Sequence, residues 1–237
     1  GCPCTVVPMK DGRPDLDAVS EALRAYPDTG AVEIQRSRGY ACRESLSVEE
    51  IGRIAELVHR HDPSIAVLVD NCYGEFVETL EPCAVGADLT AGSLIKNPGG
   101  GLALCGGYVA GRAELVERTA ERLTVPGIGG ECGSSLGQNR SLFQGFFEAP
   151  HVVSQALRTA VFAASLLGRM GYEVDPLPLG TRHDIIQTIR FGAPEPLLAF
   201  MRGIQTGAPV DAFAVPEPCP LPGYEDPVVM AAGAFVQ

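Results

Sequence analysis

The chain has 237 residues, 46% of them apolar and 20% charged, with a formal net charge of −11. Such a composition can bury a sizeable core in one large domain with a smaller appendage, and the negative balance argues against a nucleic-acid or anionic-membrane partner. No apolar run approaches the roughly 20 residues of a membrane span, and the first residues, "GCPCTVVPMKDGRPD", show neither the basic nor the apolar region of a signal peptide.

In chain order, "TVV" at 5–7 reads as a strand-like piece, "KDGRPD" as a turn, and "DLDAVSEALRAY" at 15–26 as a helix with Asp15 in its first turn. "AVEIQ" at 31–35 is a strand ending at "RSRGY". "SVEEIGRIAELVHRHD" at 47–62 is a strong helix: Ser47 caps it, Glu50 completes a capping box, and Ile51, Ile54, Leu57 and Val58 share one face. "SIAVLVDN" at 64–71 has the unbroken apolar character of a strand buried on both faces of a parallel sheet. Two short strands follow, "ADLTAGSLIKN" at 87–97 and "GGYVAG" at 106–111, and then a helix at 112–123. A helical pattern covers 134–170, with Pro150 marking a break. "DIIQTIRFG" at 184–192 is a strand, 194–207 a helix ended by Gly207, and the sequence after it a proline-rich loop.

Strands alternating with helices over the first 125 residues indicate an α/β domain with a mostly parallel central sheet and flanking helices. We divide the chain into a large domain, 1–149, and a connecting helix with part of a small C-terminal domain, 150–237. The chain begins and ends inside element-like sequence; "VVMAAGAFVQ" stops without a polar cap, so the chain reads as a piece of a longer protein. Its eight cysteines, at 2, 4, 42, 72, 83, 105, 132 and 219, include no C-x-x-C pair, and no histidine stands at ligand spacing from a cysteine pair. This argues against a metal site. The cysteines read as reduced, small core residues, and the compartment as cytoplasm.

The chemistry concentrates at two strand ends. "IAVLVDNCYGEF" runs a buried strand into Asp70, and "LTAGSLIKNPGG" delivers Lys96, one of only two lysines, the other being Lys10. In open α/β sheets, ligands bind outside the carboxyl ends of the strands, so an acid and an amine converge on one crevice. A plain ion pair, or two unrelated surface residues, is the blander alternative. Gly92 and Ser93 before the lysine, and Gly99, Gly100 and Gly101 after it, favour the first reading by allowing close backbone approach to a ligand. The order of residues is neither that of a Walker loop, because the lysine precedes the glycines, nor that of a dinucleotide fingerprint. Gln35, Arg36, Ser37 and Arg38 follow a strand and are candidates to line the cleft mouth, with surface or interface ion pairs as the alternative for the arginines. Tyr73 and Glu75, just past Asp70, are candidates to face cofactor or substrate, although a tyrosine there packs as often as it binds.

"VDNCYGEF" followed by "AGSLIKNPGGGLALCGGYVAG" resembles the large domain of pyridoxal-phosphate enzymes of the aspartate-aminotransferase (type I) fold. More narrowly it resembles the methionine gamma-lyase family, also known as aluminium resistance proteins, within the cysteine/methionine-metabolism branch. "IQRSRGYACRESLS", "RHDIIQTIRFG" and "PGYEDPVVMAAGAFVQ" extend the resemblance over essentially the whole chain.

The resemblance implies a role for individual residues. Lys96 corresponds to the lysine that forms the Schiff base with pyridoxal 5'-phosphate, and Asp70 to the carboxylate on the pyridinium nitrogen. Ser93 corresponds to a serine on the cofactor phosphate, and Asn71 is placed with the cofactor-binding residues. Tyr73, Arg36 and Arg38 are the substrate-binding candidates. The branch usually has a hydroxyl residue immediately before the lysine, where this chain has Ile95. The phosphate loop and ring-stacking aromatic of the family fall before Gly1, and its carboxylate-binding arginine after Gln237.

The implied activity is carbon–sulfur elimination or a related replacement on a sulfur amino acid, in a homo-oligomer (dimer or tetramer) when full length, with the isolated piece inactive. Such chemistry asks for a lysine that can be neutral, in a desolvated cleft beside other positive charge. The alternative is an incomplete, non-catalytic homologue that serves at most as an assembly partner. A phosphate-binding module using the glycines alone would leave Asp70 unexplained.

Overall fold

The computed structural model describes residues 3–231 except 134 and 136; Cys2, the start of the 134–170 pattern and the apolar end at 232–237 lie outside the described residues. The chain divides into two compact units, one of 1–158 with 181–186 and one of 159–180 with 187–237.

The first unit is a four-stranded sheet in the order β1-β2-β3-β4. Strands β1 (Ala31–Gln35), β2 (Ala66–Asp70) and β3 (Leu89–Ser93) run parallel, and β4 (Gly107–Gly111) returns antiparallel on β3. Three helices accompany them: α1 (Leu16–Ala25), α2 (Val48–His61) and α3 (Ala113–Leu123). The sheet is thus the mostly parallel one that the alternating pattern indicates. "TVV" forms no strand; that part of the chain shows only an isolated bridge between Lys10 and Arg13.

The local causes are legible. Asp15 is the N-cap of α1, its side chain accepting from the N–H groups of Asp17 and Ala18. Ser47 and Glu50 form the reciprocal capping box of α2, and His59, Arg60 and His61 occupy its last turn, where cations suit the helix dipole. On α2 the fully buried face is Ile51, Ile54, Ala55 and Val58, with Leu57 only partly covered. These residues pack with Val67 and Val69 of β2, Ile34 of β1, and Leu23, Leu46, Ile65 and Ala87 in one continuous core.

Helix α4 (Asn139–Arg169) runs through Pro150 instead of breaking there. Proline costs the helix one backbone hydrogen bond, and packing on either side holds the line: Ala149 and Val153 are buried. The second unit holds the end of α4, a two-stranded antiparallel pair, β5 (Glu173–Asp175) and β6 (Thr188–Arg190), and α5 (Pro194–Thr206). Its small core joins Ala164, Leu167 and Val174 to Tyr172, Ile189 and Phe200.

The cysteines depart from expectation. Cys4, Cys42, Cys83, Cys105, Cys132 and Cys219 are free thiols at the surface and Cys72 is half-buried, so they are not core residues. Among the described residues, no group of three or more His, Cys, Asp or Glu side chains is arranged to hold a metal ion, and no helix is long and apolar enough to cross a membrane.

Candidate active site

Asp70 is the last residue of β2, paired in register with Gln35 on one side and Ala91 on the other. Three residues past the end of β3, Lys96 opens a short 3₁₀ turn over Asn97–Gly99. Because β2 and β3 are adjacent and parallel, acid and amine stand at the same carboxyl edge of the sheet. The Asp70 Oδ1 accepts the N–H of Cys72 at 3.0 Å. The Lys96 Nζ lies 4.3 Å from the centre of the Tyr73 ring, a cation–π contact. Among the described residues the two charges do not pair with each other, so the plain ion-pair alternative does not describe them.

The turn carrying Lys96 is pinned by backbone. The Lys96 N–H donates to the Ser93 carbonyl at 3.3 Å, and its own carbonyl accepts from Gly99 at 3.1 Å. The Ser93 Oγ accepts the Ile95 N–H at 3.3 Å, which leaves its hydroxyl proton available to donate. Gly99 and Gly100 serve this docking, while Gly101, at φ +72°, faces open space. A Cβ on Gly99 would lie 1.6 Å from the Leu94 carbonyl oxygen, and one on Gly100, at φ +55°, 2.2 Å from that of Gly145 in α4. The close approach is therefore of turn to helix.

Lys96 also differs from the chemical expectation. Burial pulls its ammonium down, but the neighbouring Cys72 thiol and Tyr73 phenol outweigh this and leave it above the ordinary lysine value. The same neighbourhood acts on Cys72: burial, and then the Asp70 carboxylate, push its thiol up.

Beneath the edge lies a buried polar network. Arg36 is 0% exposed and donates to Asn71 Oδ1 at 2.7 Å, Glu78 Oε2 at 2.7 Å and Glu81 Oε2 at 3.4 Å. The Asn71 amide donates to Glu81 Oε2 at 2.9 Å and to the Tyr108 oxygen at 3.3 Å, and the Tyr108 hydroxyl donates to Glu75 Oε1 at 2.9 Å. The Glu75 main-chain carbonyl accepts from the side chain of Asn97, next to Lys96, at 3.0 Å. Burial pushes the Glu75 carboxyl up to about 7, and it pushes the Tyr108 phenol up as well.

A family model described as methionine gamma-lyase matches residues 4–237. The chain belongs to the methionine gamma-lyase family. Among curated relatives, the uncharacterized protein YnbB of Bacillus subtilis (strain 168) is 51% identical over 228 residues, 96% of this chain and 54% of that protein. A solved structure from Listeria monocytogenes is 48% identical with a TM-score of 0.93, over 98% of this chain and 57% of the other. The carbon-sulfur lyase involved in aluminum resistance from Clostridium novyi NT is 47% identical with a TM-score of 0.89, over 97% and 53%. The chain spans about half the length of these relatives. At 15% identity, the pyridoxal-5'-phosphate-dependent protein YhfS from Escherichia coli shares only the fold, with a TM-score of 0.55.

In this member of the methionine gamma-lyase family, the sequence-predicted residues do not all share one surface. Asp70, Ser93, Lys96 and Tyr73 gather at the sheet edge. Asn71 and Arg36 are committed below it, so Arg36 does not line a cleft mouth. Arg38 is 4% exposed; its backbone N–H donates to Ser45 Oγ and Asp184 Oδ2, each at 3.3 Å, and its Nε to the Ala41 carbonyl at 3.4 Å. Asp184, which the sequence did not single out, ties down the loop after β1 by accepting from Ser37 Oγ at 2.7 Å and from Ser45 Oγ. Glu78, Glu81 and Tyr108 were also missed. They carry no local motif, and only the fold brings them to Arg36 and Asn71.

Proposed function

We propose that this chain carries the lysine-bearing part of a pyridoxal-phosphate-dependent carbon–sulfur lyase of the type I fold that acts on a sulfur amino acid. One observation supports this above the rest: Asp70 and Lys96 stand at the carboxyl edge of two adjacent parallel strands, with Tyr73 beneath the amine. The name of the Clostridium novyi relative points to the same reaction class.

The donor set fits the cofactor. Asp70 uses one carboxylate oxygen on Cys72 and would place the other on the ring nitrogen; Lys96 would hold the aldehyde carbon; Ser93 would donate its hydroxyl to the phosphate. When bound, the cofactor supplies an electron sink for charge developing at the substrate α-carbon. Asp70 would keep the ring nitrogen protonated by its negative charge. Lys96, once released, would accept the α-proton as general base and, for elimination at the γ-carbon, would pass it on and then take a proton from the β-carbon before sulfur leaves.

Assembly belongs to the same reading. Phe143, Phe146 and Phe147 of α4 are 75%, 55% and 82% exposed, an apolar face suited to burial in a full-length homo-oligomer. The test is borohydride trapping of pyridoxal phosphate on the full-length protein, followed by peptide mapping. The label belongs on Lys96; a label on Lys10, or none, overturns the assignment.

A further inference from the structure

Glu75 is 4% exposed, and its Oε2 has no hydrogen-bond partner among the described residues, an uncommon state for a buried carboxyl oxygen. Its position is tightly enforced. A Cβ on Gly92 would fall 2.4 Å from Glu75 Oε1 and 2.6 Å from the Tyr108 ring, so the absence of a side chain on β3 makes the room that both occupy. The loop that carries Glu75 is itself over-determined. Tyr73 and Phe76 hold left-handed φ values of +70° and +62°, the Tyr73 carbonyl accepts from Ile185, and the Phe76 N–H donates to Glu81.

Two links from this residue reach the two halves of the site. Through Tyr108 it meets Asn71, next to Asp70; through its own carbonyl it meets Asn97, next to Lys96. We propose that Glu75 is a positioning residue for the Asp70–Lys96 pair, its buried carboxyl setting the 71–76 loop and, through Asn97, the turn that presents the lysine amine. This rests on the function proposed above and adds to it the group that governs how the amine is presented.

The groups facing the Glu75 carboxyl are the Tyr108 hydroxyl from β4, Glu81 from the segment after the loop and Arg36 from the end of β1. Arg36 gives its terminal nitrogens to Glu78, Glu81 and Asn71; its charge and the Glu75 backbone N–H favour the ionised carboxyl, but burial outweighs both. The un-ionised acid is therefore the form that this pocket accommodates. Ionisation adds a negative charge beside Glu81 on a carboxylate whose Oε2 has nothing to accept from, and loosens the loop and the lysine turn attached to it.

The experiment is competitive acylation of the apo full-length protein with acetic anhydride across pH, reading Lys96 against exposed Lys10 by peptide mass spectrometry. In the wild type, the ratio of Lys96 to Lys10 labelling should rise several-fold through pH about 7. Glu75→Gln, which keeps the neutral shape, should abolish that step while cofactor trapping is retained. Tyr108→Phe should move the step to higher pH, because the hydroxyl it removes favours the ionised carboxyl. Glu75→Ala should lower cofactor trapping at least tenfold where Glu75→Gln does not; should Glu75→Ala fail to fold, the other two variants still decide. A step that persists in Glu75→Gln, a wild type without one, or an unmoved step in Tyr108→Phe overturns the proposal. Labelling needs no cofactor, so failure of the lyase reading would appear separately, as absent borohydride trapping with the labelling step intact.

Discussion

Replacing Glu75 by glutamine tests the energetics of the buried network directly. Burial lifts the carboxyl from its ordinary 4.5 to about 7 in the folded protein. The folded state therefore holds a proton that the unfolded chain releases over that interval. Stability from this group is fully present below pH 4.5 and is lost as pH rises through about 7. At 1.36 kcal/mol per unit, the loss is about 3 kcal/mol. The residue is 4% exposed, so solvent screening does not dilute it.

Glutamine reproduces the un-ionised acid and still accepts the Tyr108 hydroxyl. Variant and wild type should unfold alike near pH 4.5, and by pH 8 the variant should be more stable by about 3 kcal/mol, or roughly 6–12 °C in midpoint for a chain of this size. The assay is thermal or urea unfolding of both proteins across pH 4–8, with the difference between them plotted so that contributions common to both cancel. Parallel curves with no divergence above pH 6 would refute the argument, because they would mean that Glu75 ionises in the fold as it does in water.

Three other outcomes are expected. Asp70→Asn in the full-length enzyme should retain its fold and trap cofactor on Lys96, yet lose about a thousandfold in turnover, near 4 kcal/mol of barrier; near-normal turnover would remove Asp70 from the mechanism. Gly100→Ala should cost about 2–4 kcal/mol in urea unfolding, from the left-handed φ and the 2.2 Å approach to Gly145, and should weaken cofactor trapping with it. Asp88 accepts from the Val67 N–H at 2.7 Å, His59 at 2.9 Å and Arg112 at 3.0 Å, contacts that outweigh burial and hold its carboxyl below the ordinary range. Asp88→Ala should cost about 1–3 kcal/mol at neutral pH, a difference that shrinks as acid protonates the wild-type carboxylate; a constant difference down to low pH would contradict the role given to its charge.

Much of the first unit was legible because its signals are local. A capping box at Ser47 and Glu50 needs only four residues to declare itself, and the unbroken apolar run into Asp70 can hardly be anything but an interior strand. The placement of Asp70 and Lys96 at neighbouring strand ends was legible for the same reason, since each ends or follows such a run. Pro150 misled because a proline removes one helical hydrogen bond, and buried neighbours such as Ala149 and Val153 are worth more than that bond. The cysteines misled because a small apolar side chain fits a core but does not require one. Arg36 misled most: its charge reads as surface, and only Glu78 and Glu81, more than 40 residues further along the chain, make its complete burial tolerable.

The glycines after Lys96 join the fold to the chemistry. Gly99 and Gly100 are locked backbone to backbone against Leu94 and α4. That contact fixes the main chain of the lysine turn at three points: the end of β3 through Ser93, the helix through Gly145, and the 71–76 loop through Asn97. The side chain itself is half-buried and rests on an aromatic face. A cation–π contact is worth only about 0.5–1 kcal/mol at such exposure, so the amine leaves it at little cost while its backbone cannot follow. The role proposed for Lys96, holding a cofactor and then releasing it to move protons, would need that combination, because a mobile main chain would spread the amine over many positions and forfeit the proximity on which proton transfer depends.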